Sequence, residues 1–194
     1  FPKNTRSRYN RIGMIDLIPK INRLWKTNRD SLLEQSLIIT SKLKNSHNSS
    51  KSSQPISKNI LDNTFKRFRN RYDKQFGGFG KAPKFPKPHD YSFLVRYFLK
   101  TKNIEAMEMV ENSLYKMRYG GIYDQIGYGF HRYSTDQKWL VPHFEKMLYD
   151  QAMLMHAYLD AFLITNDSFF SKTVEEICEY VLRDGAPSNV IVKI

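Results

Sequence analysis

At 194 residues the chain is long enough for one or two domains, and its 41% apolar content suffices for a core. Its single cysteine, Cys178, excludes an internal disulfide. No apolar run reaches the ~18 residues that a membrane span needs. The formal charge of +12 is unevenly placed: residues 1–88 carry 20 Lys/Arg against 5 Asp/Glu, and residues 89–194 carry 11 against 14. No nucleic-acid-binding motif accompanies the basic part, so it reads as solvated helix faces and linker, with no nucleic acid as partner.

Met14 to Thr27 spaces Ile15, Leu17, Ile18, Ile21, Leu24 and Trp25 at helical intervals despite Pro19. Asp30 is placed to cap a second helix, with Leu32, Leu33, Leu37 and Ile38 on one side. From Asn45 to Lys58 the text NSHNSSKSSQPISK has almost nothing to bury. It reads as a disordered linker, 45–58, and a domain boundary. Ile60 to Asp73 resumes a helix, with Ile60, Leu61, Phe65 and Phe68 inward and Lys66, Arg67, Arg69 and Arg71 outward.

The loop GGFGKAPKFPKP, residues 77–88, forbids a helix through its glycines and prolines. Pro88 is suited to the first position of the next helix, whose stripe is Tyr91, Leu94, Val95, Phe98 and Leu99. A partner helix follows over Ile104 to Met117. After a second Gly-rich loop, Pro142 is expected to start a helix to about Thr165, apolar nearly all round and so buried on most sides. Ser168 to Arg183 is apolar on one side, and Cys178 sits in its stripe with Val174, Ile177 and Val181, as a core residue rather than a nucleophile. Gly-rich loop, helix, turn and helix thus occur twice, without convincing strands. An inner helix followed by an outer one is what concentric helical layers require.

The second loop and its helix, GGIYDQIGYGFHRYSTDQKWLVPHFEKMLYD, hold two histidines, three aspartates, a glutamate, an arginine, a tryptophan and four tyrosines within residues 120–150. With GGFGKAPKFPKP and the intervening helices, this text resembles the spermatogenesis-associated protein 20 family from about residue 1 to Arg183. The resemblance implies a thioredoxin-like domain joined to an (α/α)6 toroid of the six-hairpin glycosidase type. The expected fold class is therefore all-α, a partial toroid. On this reading residues 1–44 are the remnant of a thioredoxin-like domain and its linker helix, 59–183 the partial toroid, and 184–194 a divergent tail. The chain opens on Phe1 and after YVLRD departs from the family, so it is expected to be an internal fragment whose two hairpins leave apolar edges bare.

Six-hairpin folds often act on sugars, with one group protonating a leaving oxygen or ring carbon and a second activating water or taking a proton. The candidates for such acid–base work are His143, Asp150, Asp124 and Glu145. A helix from Pro142 would set His143 and Asp150 on one face, about two turns apart. Candidate ligand-binding residues are Phe79, Lys81, His131, Arg132, Tyr133 and Trp139: Arg132 suits a carboxylate or phosphate, and the rings suit sugar faces. The Gly77–Pro88 and Gly120–Asp150 loops are expected to meet around one concavity. The structural alternative is that the aspartates and histidines cap backbone N–H groups and the tyrosines satisfy loop carbonyls. His131 and His143 lack the close spacing of zinc ligands, so no metal is expected, and no cofactor. GGFG is not a phosphate loop, since no Gly-Lys-Ser/Thr follows. The expected ligand is a carbohydrate or small polar molecule, and the alternative function is a non-catalytic interaction or regulatory module.

Overall fold

The structure is a computed structural model that describes residues 12–47 and 59–185. Among these residues it forms seven α-helices and no strand beyond isolated bridges. The chain divides into two compact units between Pro55 and Ile56. Residues 48–58, most of the expected linker, and 186–194, most of the divergent tail, lie outside the described residues.

The first unit is a helix pair, α1 (Met14–Thr27) and α2 (Arg29–His47). Pro19 falls in the interior of α1, which buries none of its residues. Asn28 leaves helical geometry and its N–H returns to the Leu24 carbonyl. Asp30 therefore lies in the first turn of α2 rather than capping it, where a carboxylate still complements the helix dipole. Helix α2 runs through Asn45 and Ser46, so the polar text expected as linker starts inside a helix.

The second unit holds α3 (Asn59–Arg71), α4 (Pro88–Thr101), α5 (Ile104–Tyr119), α6 (Leu148–Thr165) and α7 (Ser168–Tyr180), closing in a π-helical turn over Val181–Gly185. Pro88 opens α4 as expected. Lys102 ends α4 and Asn166 ends α6, both left-handed, and the next residue caps the following helix: Asn103 accepts from Ala106 N, and Asp167 from Phe169 N. Two-residue connections of this kind turn each helix back on its predecessor. Helices α4 and α6 pack on each other, α5 packs on α4, and α7 on α6. Tyr91 and Leu94 of α4, Val110 and Leu114 of α5, Leu154 and Tyr158 of α6, and Phe170 of α7 are fully buried in one core. Each large apolar side chain so buried contributes about 1.5–3 kcal/mol. The unit is all-α, built of paired helices in inner and outer rows, as a toroid requires.

Helix α6 departs from the sequence expectation twice. It starts at Leu148, not Pro142. Residues 133–143 form a backbone-paired turn instead: Ser134 bridges to Pro142, His143 N donates to Tyr133 O at 2.9 Å, and the Asp136 carboxylate grips the N–H groups of Lys138, Leu140 and Val141. Nor is α6 buried on most sides. Leu148, Met153, Leu159 and Leu163 are exposed, because the described helices cover only one side of it.

The two Gly-rich loops share one hydrogen-bond pattern. In the first, Asp73 N donates to Gly78 O, Gly77 N to Asp73 O, and Gly80 N to Arg71 O. In the second, Asp124 N donates to Gly129 O, Tyr128 N to Asp124 O, and His131 N to Ile122 O. Tyr72 bridges Phe79, and Tyr123 bridges Phe130. The positive φ angles recur as well, 67° and 72° at Gly77 and Gly78, 62° and 76° at Tyr128 and Gly129. Each aspartate takes two backbone N–H groups on Oδ1 and a lysine ammonium on Oδ2 at 2.8 Å, Lys84 for Asp73 and Lys146 for Asp124. Each lysine also reaches a backbone carbonyl and lies over a ring, Trp139 for Lys84 and Tyr180 for Lys146.

Candidate functional site

The two loops meet, as the sequence suggested. Lys84 and Ser134 exchange backbone hydrogen bonds at 2.8 Å in both directions. The Lys84 side chain is fully buried, bonded to Asp73 and to the Gln137 carbonyl. Burial pushes the ammonium down, the Asp73 ion pair opposes this, and the net direction is downward. Trp139 is buried beside it and donates its indole N–H to Phe76 O at 2.8 Å. Phe79 is buried against Phe68, Tyr72 and Tyr91. Phe79, packed on the helices, and Trp139, packed between the loops, are two of the expected ligand-binding rings, and both are buried and present no surface to a ligand. Both rings belong to the same hydrophobic core as the helices, which is where large apolar side chains are most stable.

The remaining candidates do not surround one concavity; they separate into three places. Lys81 lies in an open groove of about 520 Å³ with Asn70–Gln75 and Gln137. Asp124 and His131 lie at the Lys146 side of the second loop. Burial alone would raise the Asp124 carboxyl, but hydrogen bonds from Lys146, Gly127 N and Ile126 N win and hold it down to about 2. It is thus an ionised staple with both oxygens engaged, the counterpart of Asp73, and ill-suited to donate a proton. His131 leaves Nδ1 buried without a hydrogen bond and packs edge-on to Phe144. Burial and the neighbouring Lys146 push its protonation downward against the pull of Asp124.

Of the other five, Arg132 and Asp150 line a cleft of about 250 Å³, and Tyr133, His143 and Glu145 stand beside it. Arg132, Tyr149, Asp150 and Met153 line one side, and Phe85, Lys87, Pro88 and His89 the other. Arg132 Nη1 bonds Glu145 Oε2 at 3.1 Å, and His143 Nδ1 lies 3.7 Å from the same oxygen. Tyr133 stands between Phe85 and His143, with ring centroids 4.8 and 4.7 Å away, making an aromatic column beside the cleft. Burial pushes the Asp150 carboxyl up, with Arg132 opposing. A group so held shares a proton nearer neutrality than a free carboxylate does, which suits acid–base work. Sequence reading missed Phe85, Lys87, His89, Asp90 and Tyr149. The available signal was the matched starts of the inner helices, Pro88-His89-Asp90 and Leu148-Tyr149-Asp150. Among the described residues no three His, Cys, Asp or Glu side chains stand close enough to hold a metal ion. No described helix is long and apolar enough to cross a membrane.

The fold and the cleft thus define a protein of repeated helix–loop–helix units whose inner-helix starts frame a small cavity. No family model matches the sequence. Comparison with individual proteins places the chain among relatives of spermatogenesis-associated protein 20, as the loop motifs suggested. It is 41% identical to the human protein over 180 residues, 89% of this chain and 23% of that protein. The rat protein is 40% identical over 181 residues, with 90% and 23% covered. An uncharacterised Caenorhabditis elegans protein is 35% identical over 158 residues, with 79% and 21% covered. The chain spans about a quarter of the length of these relatives.

Proposed function

We propose that the cleft between the starts of α4 and α6 binds a carbohydrate or other small polar ligand, and that Asp150 is its acid–base group. The observation that carries this reading is the conjunction of Asp150, desolvated and beside Arg132, with the aromatic column Phe85–Tyr133–His143. A mostly apolar cleft with a few convergent polar groups is the usual form of a small-molecule site. Rings offer flat faces to the C–H side of a sugar, while Arg132 and Asp150 supply directional polar contacts. Glu145 fixes the guanidinium from outside the cleft, and His143 shares that carboxylate. The catalytic role thus falls to Asp150, with His143 and Glu145 supporting Arg132.

The test is a titration of the isotope-labelled chain with neutral monosaccharides, followed by nuclear magnetic resonance. Shifts confined to residues 85–89, 132–133 and 149–153, weakened at least fivefold by Arg132→Gln and by Tyr133→Ala, are the expected result. Shifts elsewhere, or none, reject the reading.

A further inference from the structure

The shared hydrogen-bond pattern separates carboxyls that hold the fold from carboxyls that do not. Both oxygens of each structural carboxylate are engaged: Asp73 and Asp124 by backbone N–H groups and a lysine, Asp136 by three N–H groups, and Asp167 by Phe169 N and the Tyr115 hydroxyl. Two others stand at matched positions, third residue of α4 and third residue of α6: Asp90 and Asp150. Asp150 is half-buried, and its carboxylate accepts no hydrogen bond from any described residue. Asp90 has a side chain only 10% exposed, and its ion-pair neighbour is His89 Nε2 at 3.2 Å. Burial pushes both carboxyls up. Both carboxyls complement a helix N-terminus, but that needs no burial, and Asp150 at the cleft wall and His89 in front of Asp90 leave polar groups facing the cavity.

We infer that the cleft reads its ligand through one polar group from each repeat, Asp150 directly from α6 and the His89 imidazole from α4, with Asp90 behind His89 as a positioning residue, and that the ligand is a neutral polyol with hydroxyls spanning the two. This rests on the reading of the cleft as a small-molecule site. Neutrality follows from the lining. Lys87 and Arg132 disfavour a cation, Asp150 disfavours an anion, and Nη1 of Arg132 is held by Glu145, which offsets its charge. A carboxyl and an imidazole each match a hydroxyl, which both donates and accepts. Phe85, Tyr149 and Met153 supply the apolar floor for a ring face.

The experiment titrates the full chain with glucose, galactose and mannose, and with tetrahydropyran-2-methanol as a ring lacking the vicinal hydroxyls. The sugars are expected to bind at least tenfold more tightly than the hydroxyl-poor ring. His89→Gln and Asp150→Asn should each weaken sugar binding tenfold or more, and Asp90→Asn about threefold, with Asp90→Glu recovering part of the loss. At equal sugar occupancy the His89 ring C–H resonance should move less in Asp90→Asn than in the parent chain, a signature that a purely structural role would not alter. If His89→Gln and Asp90→Asn bind as the parent does while Asp150→Asn fails, the two-repeat pairing is overturned and the cleft reading stands. Tighter binding of the hydroxyl-poor ring overturns the polyol assignment. If none of the four compounds moves a cleft resonance, both fall.

Discussion

Replacing Asp124 by Asn tests whether that carboxylate is a staple of the second loop. Asparagine keeps an oxygen for the N–H groups of Ile126 and Gly127 but loses the charge facing Lys146 at 2.8 Å. The carboxyl sits at about 2 against an ordinary 3.8, and each unit of displacement is about 1.4 kcal/mol, so the charge contributes about 2 kcal/mol at neutral pH. For a folding unit of about 130 residues that is a fall in Tm of roughly 7 °C. Because the folded value lies below the unfolded one, this stabilisation is present above pH ~4 and is lost as pH falls through the folded value. The difference between parent and variant, measured by urea unfolding at pH 7 and at pH 2.5, should therefore shrink at the acid end. A difference below about 0.5 kcal/mol at pH 7, or one of equal size at both pH values, would refute the staple.

The first loop offers a harsher change: Lys84→Met leaves Asp73 ionised without its buried partner and should cost about 3–5 kcal/mol in denaturant unfolding. Gly78→Ala and Gly80→Ala share the cost of a positive φ, but an added Cβ at Gly78 meets Trp139 Cζ2 at 2.5 Å while that at Gly80 meets nothing within 4 Å. Calorimetry should thus rank Gly78→Ala the less stable by about 1–3 kcal/mol. Asp150→Asn should raise Tm at pH 7. A carboxyl raised by burial binds more protons folded than unfolded, so it lowers stability as pH rises through its window, and the amide removes that penalty. A lower Tm in this variant would mark Asp150 as structural.

Helices α1, α4 and α5 were legible because their apolar spacing and flanking breakers agree, with Pro88 marking the start of α4. The start of α6 was not, because Pro142 resembles a first-turn proline while the groups that hold it in a turn, Ser134 and Asp136, act across the loop. Burial of Phe79 and Trp139 was hidden for a related reason: an aromatic ring in a Gly-rich loop suits a sugar platform and a loop junction equally until the partner loop is in place. The structural role of Asp124 was within reach of the sequence. Tyr-Asp, four residues, then Gly-Phe stands at Tyr72–Phe79 and again at Tyr123–Phe130, and a residue shared by both copies serves what both copies share. His89 and Asp90 needed that same comparison carried one helix further.

The lysine–aspartate staple ties down segments of unequal length. It closes over 11 residues between Asp73 and Lys84, and over 22 between Asp124 and Lys146. Doubling a closed loop costs only about 0.6 kcal/mol of chain entropy, far less than the staple returns. The second copy thereby carries Tyr133, His143 and Glu145 on a stretch that the first copy lacks, at little expense to folding. Anchoring is common to both loops, so the extra length between Arg132 and Glu145, which sets Tyr133 against Phe85, can vary without disturbing the staple that both loops share.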